Sequence, residues 1–182
     1  MSAPAGKPAP FALRDSQPAD IPAIAALYAH YVATSTATFD EVPPPPEEMA
    51  QRRAELVAAG LPFMVATGES GRILGYAYAA PFRPRSGYRF TLEDSIYIDP
   101  AAIRGGIGAA LLAQLIERCA AGGYRQLMAV IGDTAHAASI RLHEKLGFER
   151  VGLMPAIGFK FGRWIDVVTM QRALGAGART PA

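Results

Sequence analysis

The feature that most constrains what this 182-residue chain can fold into is a change in the order of its elements at Ile98. Between Phe63 and Ile98, strands follow one another; beyond Ile98, strands and helices alternate. Phe63–Thr67 and Ile73–Ala80 flank the turn Glu69-Ser70-Gly71-Arg72, a hairpin signal. Phe90–Ile98 reads as a further strand, after a polar loop that carries Arg83, Arg85 and Arg89. Helix Ile107–Ala121, strand Gln126–Ile131, helix Ala137–Leu146 and strand Phe148–Leu153 come next, and a glycine-punctuated loop leads to a last strand, Trp164–Arg172. Upstream, Phe11–Asp15 alternates like a first strand. Asp20 and Pro22 then open a helix with Ile24, Leu27, Tyr28 and Tyr31 at helical spacing. A second helix, Glu47–Ala59, follows the rigid Pro43–Pro46 and is closed by Gly60. Hairpins pair strands antiparallel, whereas a strand–helix–strand crossover pairs them parallel. Both in one chain predict an α/β architecture: a mixed, mostly antiparallel central sheet flanked by helices on both faces.

Composition narrows the classes. Hydrophobic residues make up 51% and charged ones 19%, enough apolar material for one sizeable core. The expected layout is a single domain over 11–174 with flexible tails at 1–10 and 175–182. A formal net charge of +2 argues against a general nucleic-acid binder. No run reaches the ~20 apolar residues of a membrane span, so neither partner is expected. The one cysteine, Cys119, excludes an internal disulfide and a CxxC metal site, and lies on a helix, where it reads as a packed thiol. His30, His136 and His143 are scattered, so no metal is expected, and a reducing, cytoplasmic setting is the default.

Chemistry concentrates in Ile98-Asp99-Pro100-Ala101-Ala102-Ile103-Arg104-Gly105-Gly106-Ile107-Gly108, a strand, a glycine-rich turn and a helix start. Glycines let backbone approach a ligand closely, and the first N–H groups of a helix are free to bind an anion. The absence of GK[ST] excludes a Walker loop, and the spacing is not GxGxxG. Read alone, the stretch is either a tight turn or a phosphate site. It resembles motif A of the GNAT N-acetyltransferases, a Q/R-x-x-G-x-G/A loop that holds the pyrophosphate of acetyl-CoA. The match falls on Ile103, Arg104, Gly105, Gly106, Ile107 and Gly108, with Ile103 in place of Gln or Arg and Arg104 able to supply charge. Ala138–Phe148, ending Leu146-Gly147-Phe148, is similar to the motif B helix beside the pantetheine arm, although its apolar spacing alone reads as core. The resemblance also places His136, where the family has Asn, and Ser139 at the cofactor. Tyr88–Ile98, Gly158–Val167 and Ser35–Phe39 resemble the phosphinothricin and methionine sulfoximine acetyltransferase subfamily, over roughly Phe11 to Leu174.

That resemblance implies a GNAT fold and acetyl-CoA as co-substrate, without metal. It further implies acetyl transfer to the amino group of a small amino-acid-like acceptor such as phosphinothricin, methionine sulfoximine or methionine sulfone. Only a neutral amine attacks, so a base must take the ammonium proton. Glu93 matches the subfamily's acidic residue; read alone, it is a surface glutamate or a partner of Arg89. Backbone donors of Ser95, Ile96 and Tyr97 would pair with the pantetheine and stabilise the oxyanion. His143 is either an acid for the departing thiolate or a locally bonded helix histidine. Phe82, Arg83, Pro84, Leu92, Glu93 and Asp94 would form the acceptor pocket, although Asp94 has the opposite strand parity to Glu93 and should face the other side. Arg83, Arg85, Arg89 and Lys160 are either cations for an acceptor carboxylate or phosphinate, or solvated charges. Phe82, Phe90 and Phe161 are either pocket walls or core. Two alternatives are a protein N-terminal acetyltransferase and a non-catalytic acetyl-CoA-binding sensor. The subfamily further implies a homodimer.

Overall fold

Strands β1 (Phe11–Asp15), β2 (Phe63–Gly68), β3 (Ile73–Pro81), β4 (Thr91–Ile98), β5 (Gln126–Gly132), β6 (Glu149–Lys160) and β7 (Arg163–Ala173) join in one sheet of order β1-β2-β3-β4-β5-β7-β6. The structure is a computed structural model that describes residues 10–103 and 105–181. Every neighbouring pair is antiparallel except β4–β5. That parallel pair lies where the sequence changes from meander to alternation, as a helical crossover requires. The helices are α1 (Ile21–Thr34), α2 (Pro46–Ala58), α3 (Ile107–Ala121) and α4 (Ala137–Lys145).

The parallel pairing is short. Only Thr91↔Gln126, Leu92↔Leu127 and Glu93↔Met128 are in register. Beyond Glu93, β4 remains paired to β3 as far as Gly75↔Ile98, and β5 to β7 as far as Gly132↔Val167. The two central strands therefore part, and each turns one backbone edge into the gap between them.

Strand parity assigns the two faces. On one face of β4 stand Thr91, Glu93, Ser95 and Tyr97, and the Tyr97 ring packs on Tyr28 and Tyr31 of α1, with centroids 5.2 and 5.4 Å away. On the other stand Leu92, Asp94, Ile96 and Ile98, facing α3 and α4: Ile98 lies against Gly108, and Asp94 bonds to His143. The α1 side is cored by Ile24 and Val32 over Phe63, Tyr76 and Tyr97, and rings of neighbouring strands stack 5.9 and 5.1 Å apart. The α3 side buries Leu111, Leu112, Leu115 and Cys119 completely. The small Ala77 and Ala79 on β3 let α3 lie close to the sheet.

One element differs from expectation. The loop expected between Leu153 and Trp164 is mostly strand, because β6 continues to Lys160 through Gly158↔Ile165, Phe159↔Trp164 and Lys160↔Arg163. Pro155, which lacks an N–H, and Ala156 at φ +50 lie in an irregularity between Met154 and Gly158 that hides the pairing from sequence. The true turn is Phe161-Gly162, both at positive φ (52 and 71), the twist that suits a two-residue hairpin.

The tail expected at 1–10 lies outside the described residues apart from Pro10. At the other end, residues 175–181 follow β7 in turns, and the Arg125 guanidinium donates to Thr180 Oγ1 (2.7 Å) and to the Pro181 carbonyl (2.9 Å). Among the described residues no helix is long and apolar enough to cross a membrane.

Candidate active site

The turn into α3 is built for backbone donors. Asp99 caps a single 3-10 turn, Pro100–Ala102, accepting from Ala101 N at 2.9 Å. Ile103 follows, exposed, and Arg104 lies outside the described residues. Gly106 is the N-cap at φ +80, a left-handed conformation that strains any residue with a Cβ. A Cβ there would meet nothing within 4 Å, so the space beside it is open to a ligand. At Gly108 a Cβ would come within 3.3 Å of Leu142 and 3.7 Å of Ile98, so its bare backbone lets α3, α4 and β4 converge. The first intrahelical bond runs from Ala110 N to the Gly106 carbonyl, 3.1 Å. Among the described residues the N–H groups of Gly106, Ile107, Gly108 and Ala109 have no acceptor, and they sit at the positive end of the helix. His136, half-buried, is the N-cap of α4 without a side-chain cap bond, and Ser139 lies half-buried in its first turn.

Glu93 stands at the last rung before the gap, on the α1 face. It is half-buried, and burial pushes its carboxyl above the ordinary value; Arg83 pulls it back, and Asp94 adds to the rise. A carboxylate in that condition is a stronger base than one in water. The Arg83 guanidinium lies 4.2 Å over the Phe82 ring, which meets Tyr88 edge-on at 5.9 Å. With exposed Pro84 and Arg85 these make a basic, aromatic rim. Arg89 sits instead over Phe90, 4.5 Å from its centroid.

Three expected acceptor groups do not face an acceptor. Leu92 is 1% exposed and belongs to the core, as its parity on the α3 face dictates. Asp94 is buried on that same face and bonded to His143. Lys160 is 2% exposed, and its Nζ donates to the carbonyls of Ser35 (2.9 Å) and Thr38 (2.8 Å). Burial pulls its ammonium below the ordinary value against the pull of Asp40 and Glu41. Lys160 therefore ties the segment after α1 to the β6–β7 hairpin. The same segment is held by Tyr28, whose hydroxyl donates to Asp40 Oδ2 and shares a hydrogen bond with Thr38 Oγ1, both 2.7 Å. Sequence reasoning missed this network; the signal available was a lysine between two aromatics, Phe159 and Phe161.

His143 does not have the setting of an acid. It is 4% exposed, with Nδ1 2.8 Å from the Ser139 carbonyl and Nε2 3.1 Å from Asp94 Oδ2. Burial pushes the imidazolium down, but the Asp94 hydrogen bond and charge outweigh it, and the group stays above its ordinary value. With both ring nitrogens committed, no N–H is left for a departing thiolate. Cys119 is a packed thiol, pushed up to about 12 by burial and then by the Asp94 charge. A cavity of about 520 Å³ between α1 and the outer ends of β3 and β4, lined by Leu27, His30, Arg72 and Asp99, touches none of the expected site residues. The β4–β5 gap, with donors on one side and Glu93 on the other, is the place where chemistry converges.

The Acetyltransferase (GNAT) family pattern matches residues 24–148, more than half of the chain. The chain belongs to this family. Among GNAT relatives, it is 56% identical to a phosphinothricin N-acetyltransferase of Alcaligenes faecalis, over 88% of this chain and 81% of that protein. An L-methionine sulfoximine/L-methionine sulfone acetyltransferase of Pseudomonas paraeruginosa is 41% identical, over 93% of this chain and 98% of that one. In three dimensions the chain superposes on a GNAT phosphinothricin acetyltransferase from Sinorhizobium meliloti, solved in complex with AcCoA. The TM-score is 0.91 at 50% identity, covering 94% of this chain and 92% of the other. The seven-stranded, mostly antiparallel sheet with its four helices is the GNAT fold.

Proposed function

We propose that this GNAT acetyltransferase moves the acetyl group of acetyl-CoA to the amino group of a small amino-acid-like acceptor of the phosphinothricin, methionine sulfoximine or methionine sulfone type. The observation that carries this reading is Glu93: a half-buried carboxylate at the rung where β4 and β5 part, facing away from the free donors of α3. The relatives named above act on such acceptors. Acetyl-CoA, when bound, supplies a thioester carbonyl open to attack by an amine. Free N–H groups at Gly106, Ile107, Gly108 and Ala109 fit its diphosphate, with His136 and Ser139 at the neighbouring helix start. On the open β4 edge Ile96 offers its backbone N–H to the pantetheine or to negative charge at the carbonyl oxygen, whereas Ser95 and Tyr97, expected to do the same, turn their N–H groups to β3 by the alternation that Asp99 N→Leu74 O and Phe82 N→Thr91 O fix. Glu93 takes the ammonium proton of the acceptor, directly or through one water. Arg83, on the rim with Phe82 and Pro84, receives the acceptor's carboxylate.

Acetyl-CoA-dependent thiol release at about pH 8 tests this, with methionine sulfoximine, methionine sulfone, phosphinothricin, ordinary amino acids, polyamines and short peptides as acceptors. Turnover confined to the first three supports the reading. Turnover on peptides would assign protein acetylation, and binding without turnover on any amine would assign a sensor.

The working form is proposed to be a homodimer in the reducing cytoplasm. Along edge strand β6 and its turn, Val151, Leu153, Ile157, Phe159 and Phe161 are each more than half exposed, beside Trp164 at 65%. An apolar edge strand of this length needs a cover, and a second copy supplies one. A Trp164→Glu variant should elute as a monomer in light scattering; a wild type that is itself monomeric would overturn the dimer.

A further inference from the structure

The Asp94–His143 contact carries more than a negative result about the leaving group. A carbonyl oxygen only accepts hydrogen bonds, so the Ser139 contact at 2.8 Å puts a hydrogen on Nδ1. A carboxylate also only accepts, so the Asp94 contact at 3.1 Å puts one on Nε2. A ring carrying both hydrogens is an imidazolium, and Asp94 is its counter-charge. The other Asp94 oxygen, Oδ1, is buried without a partner among the described residues, so His143 is the partner that compensates this carboxylate.

The pair also sits at a particular place. Asp94 is the first β4 residue beyond the last β4–β5 rung, Glu93↔Met128. His143 comes from α4, the helix that follows β5. The side-chain bond thus joins the β5–α4 unit to β4 just where backbone pairing stops. We propose that Asp94 is a positioning residue: it keeps His143 protonated at both nitrogens and pins α4 to β4 at the base of the split. His143 is then a strut and not the donor of a proton to the leaving thiolate.

The surroundings support a closed pair. From α3 the facing group is the buried Cys119 thiol, and from β4 the next carboxylate, Glu93, points to the opposite face. On α4 itself Arg141, Glu144 and Lys145 are exposed, and Glu144 is held by Arg150 of β6. From β7, Arg172 lies against Gly147 beyond the end of α4. The Phe148 ring closes the remaining side, edge-on at 4.9 Å.

The test reads the ring nitrogens of His143 by ¹⁵N NMR of the whole chain, which has only His30 and His136 besides. At about pH 7.5 both nitrogens should carry hydrogens in the wild type. Asp94→Asn, whose amide can donate to Nε2, should convert the ring to the neutral Nδ1–H tautomer. In the same variant KM for acetyl-CoA should rise several-fold, with kcat within about twofold and the alkaline limb of kcat unmoved. Should Asp94→Asn fold poorly, the melting temperatures of His143→Gln and of Asp94→Asn/His143→Gln decide, because the double variant should recover what the single one loses. A singly protonated His143 in the wild type would overturn the proposal. So would loss of kcat together with the alkaline limb in Asp94→Asn, which would make His143 the acid. The kinetic arm rests on the acetyl-transfer reading, whereas the NMR arm stands without any acceptor being turned over.

Discussion

Glu93 and Asp94 are neighbours on β4, and the sheet separates them completely. Glu93 faces α1 and the rim of Arg83, half-buried, without a bonded partner among the described residues, and is more basic than an ordinary glutamate. Asp94 faces α3 and α4, buried and neutralised by His143. One residue of strand parity thus turns one carboxylate toward the Arg83 rim and the other toward the buried ring of His143, and the proposed roles, proton transfer and holding a helix, follow that division. The lesson is that burial raises basicity only while no cation intervenes; once a buried cation is bonded, the same burial makes a structural joint.

The comparison breaks most sharply at Glu93. Glu93→Gln should lower kcat by about 10²–10⁴, the usual worth of a general base, measured by thiol release. The same change should raise the melting temperature. Because the folded carboxyl lies above its unfolded value, its contribution to stability is present at low pH and lost as pH rises through the folded value. At working pH ionised Glu93 is therefore a net cost, which glutamine removes.

His143→Gln attacks the other side and should act on stability first. It strands the Asp94 charge, a loss of about 3–5 kcal/mol for a broken buried pair, read from denaturant midpoints. The sign with pH is opposite to acid denaturation. His143 lies above its ordinary value, so the stabilisation is complete below the ordinary histidine range and fades as pH rises through the folded value. Wild-type midpoints should fall over that range, and Asp94→Asn/His143→Gln should lack the slope.

Gly106→Ala sharpens the contrast between the turn into α3 and the Arg83 rim. With open space for a Cβ but φ +80, the change should cost about 1–2 kcal/mol in backbone strain and raise KM for acetyl-CoA, leaving KM for the acceptor in place. Arg83→Ala should do the reverse and more weakly, raising acceptor KM by a few-fold with unchanged melting temperature, since an exposed cation contributes about 1 kcal/mol or less.

Much of this frame could be read from sequence because its signals are local. Helix α3 was bounded by Gly106 and Gly122, and the β2–β3 hairpin by its polar turn. The continuation of β6 beyond Leu153 escaped because Pro155 and Gly158 imitate a loop, while the pairing that overrides them comes from β7. Lys160 escaped for a different reason: its partners are the main-chain carbonyls of Ser35 and Thr38, more than a hundred residues away, and no residue type announces a carbonyl. Parity placed Asp94 on the far face, yet its partner lies 49 positions on, beyond what periodicity can reach. The face that carries Glu93 was thus visible in outline, and the buried polar joints behind it were not.

The pH dependence of kcat/KM, compared between the wild type and Glu93→Gln on the same acceptor, bears most directly on the division of labour along β4. The wild type should show an acid limb above the ordinary glutamate range, and Glu93→Gln should lose that limb along with at least a hundredfold in rate. A Glu93→Gln enzyme that kept the wild-type rate and the same acid limb would put the base elsewhere and contradict it.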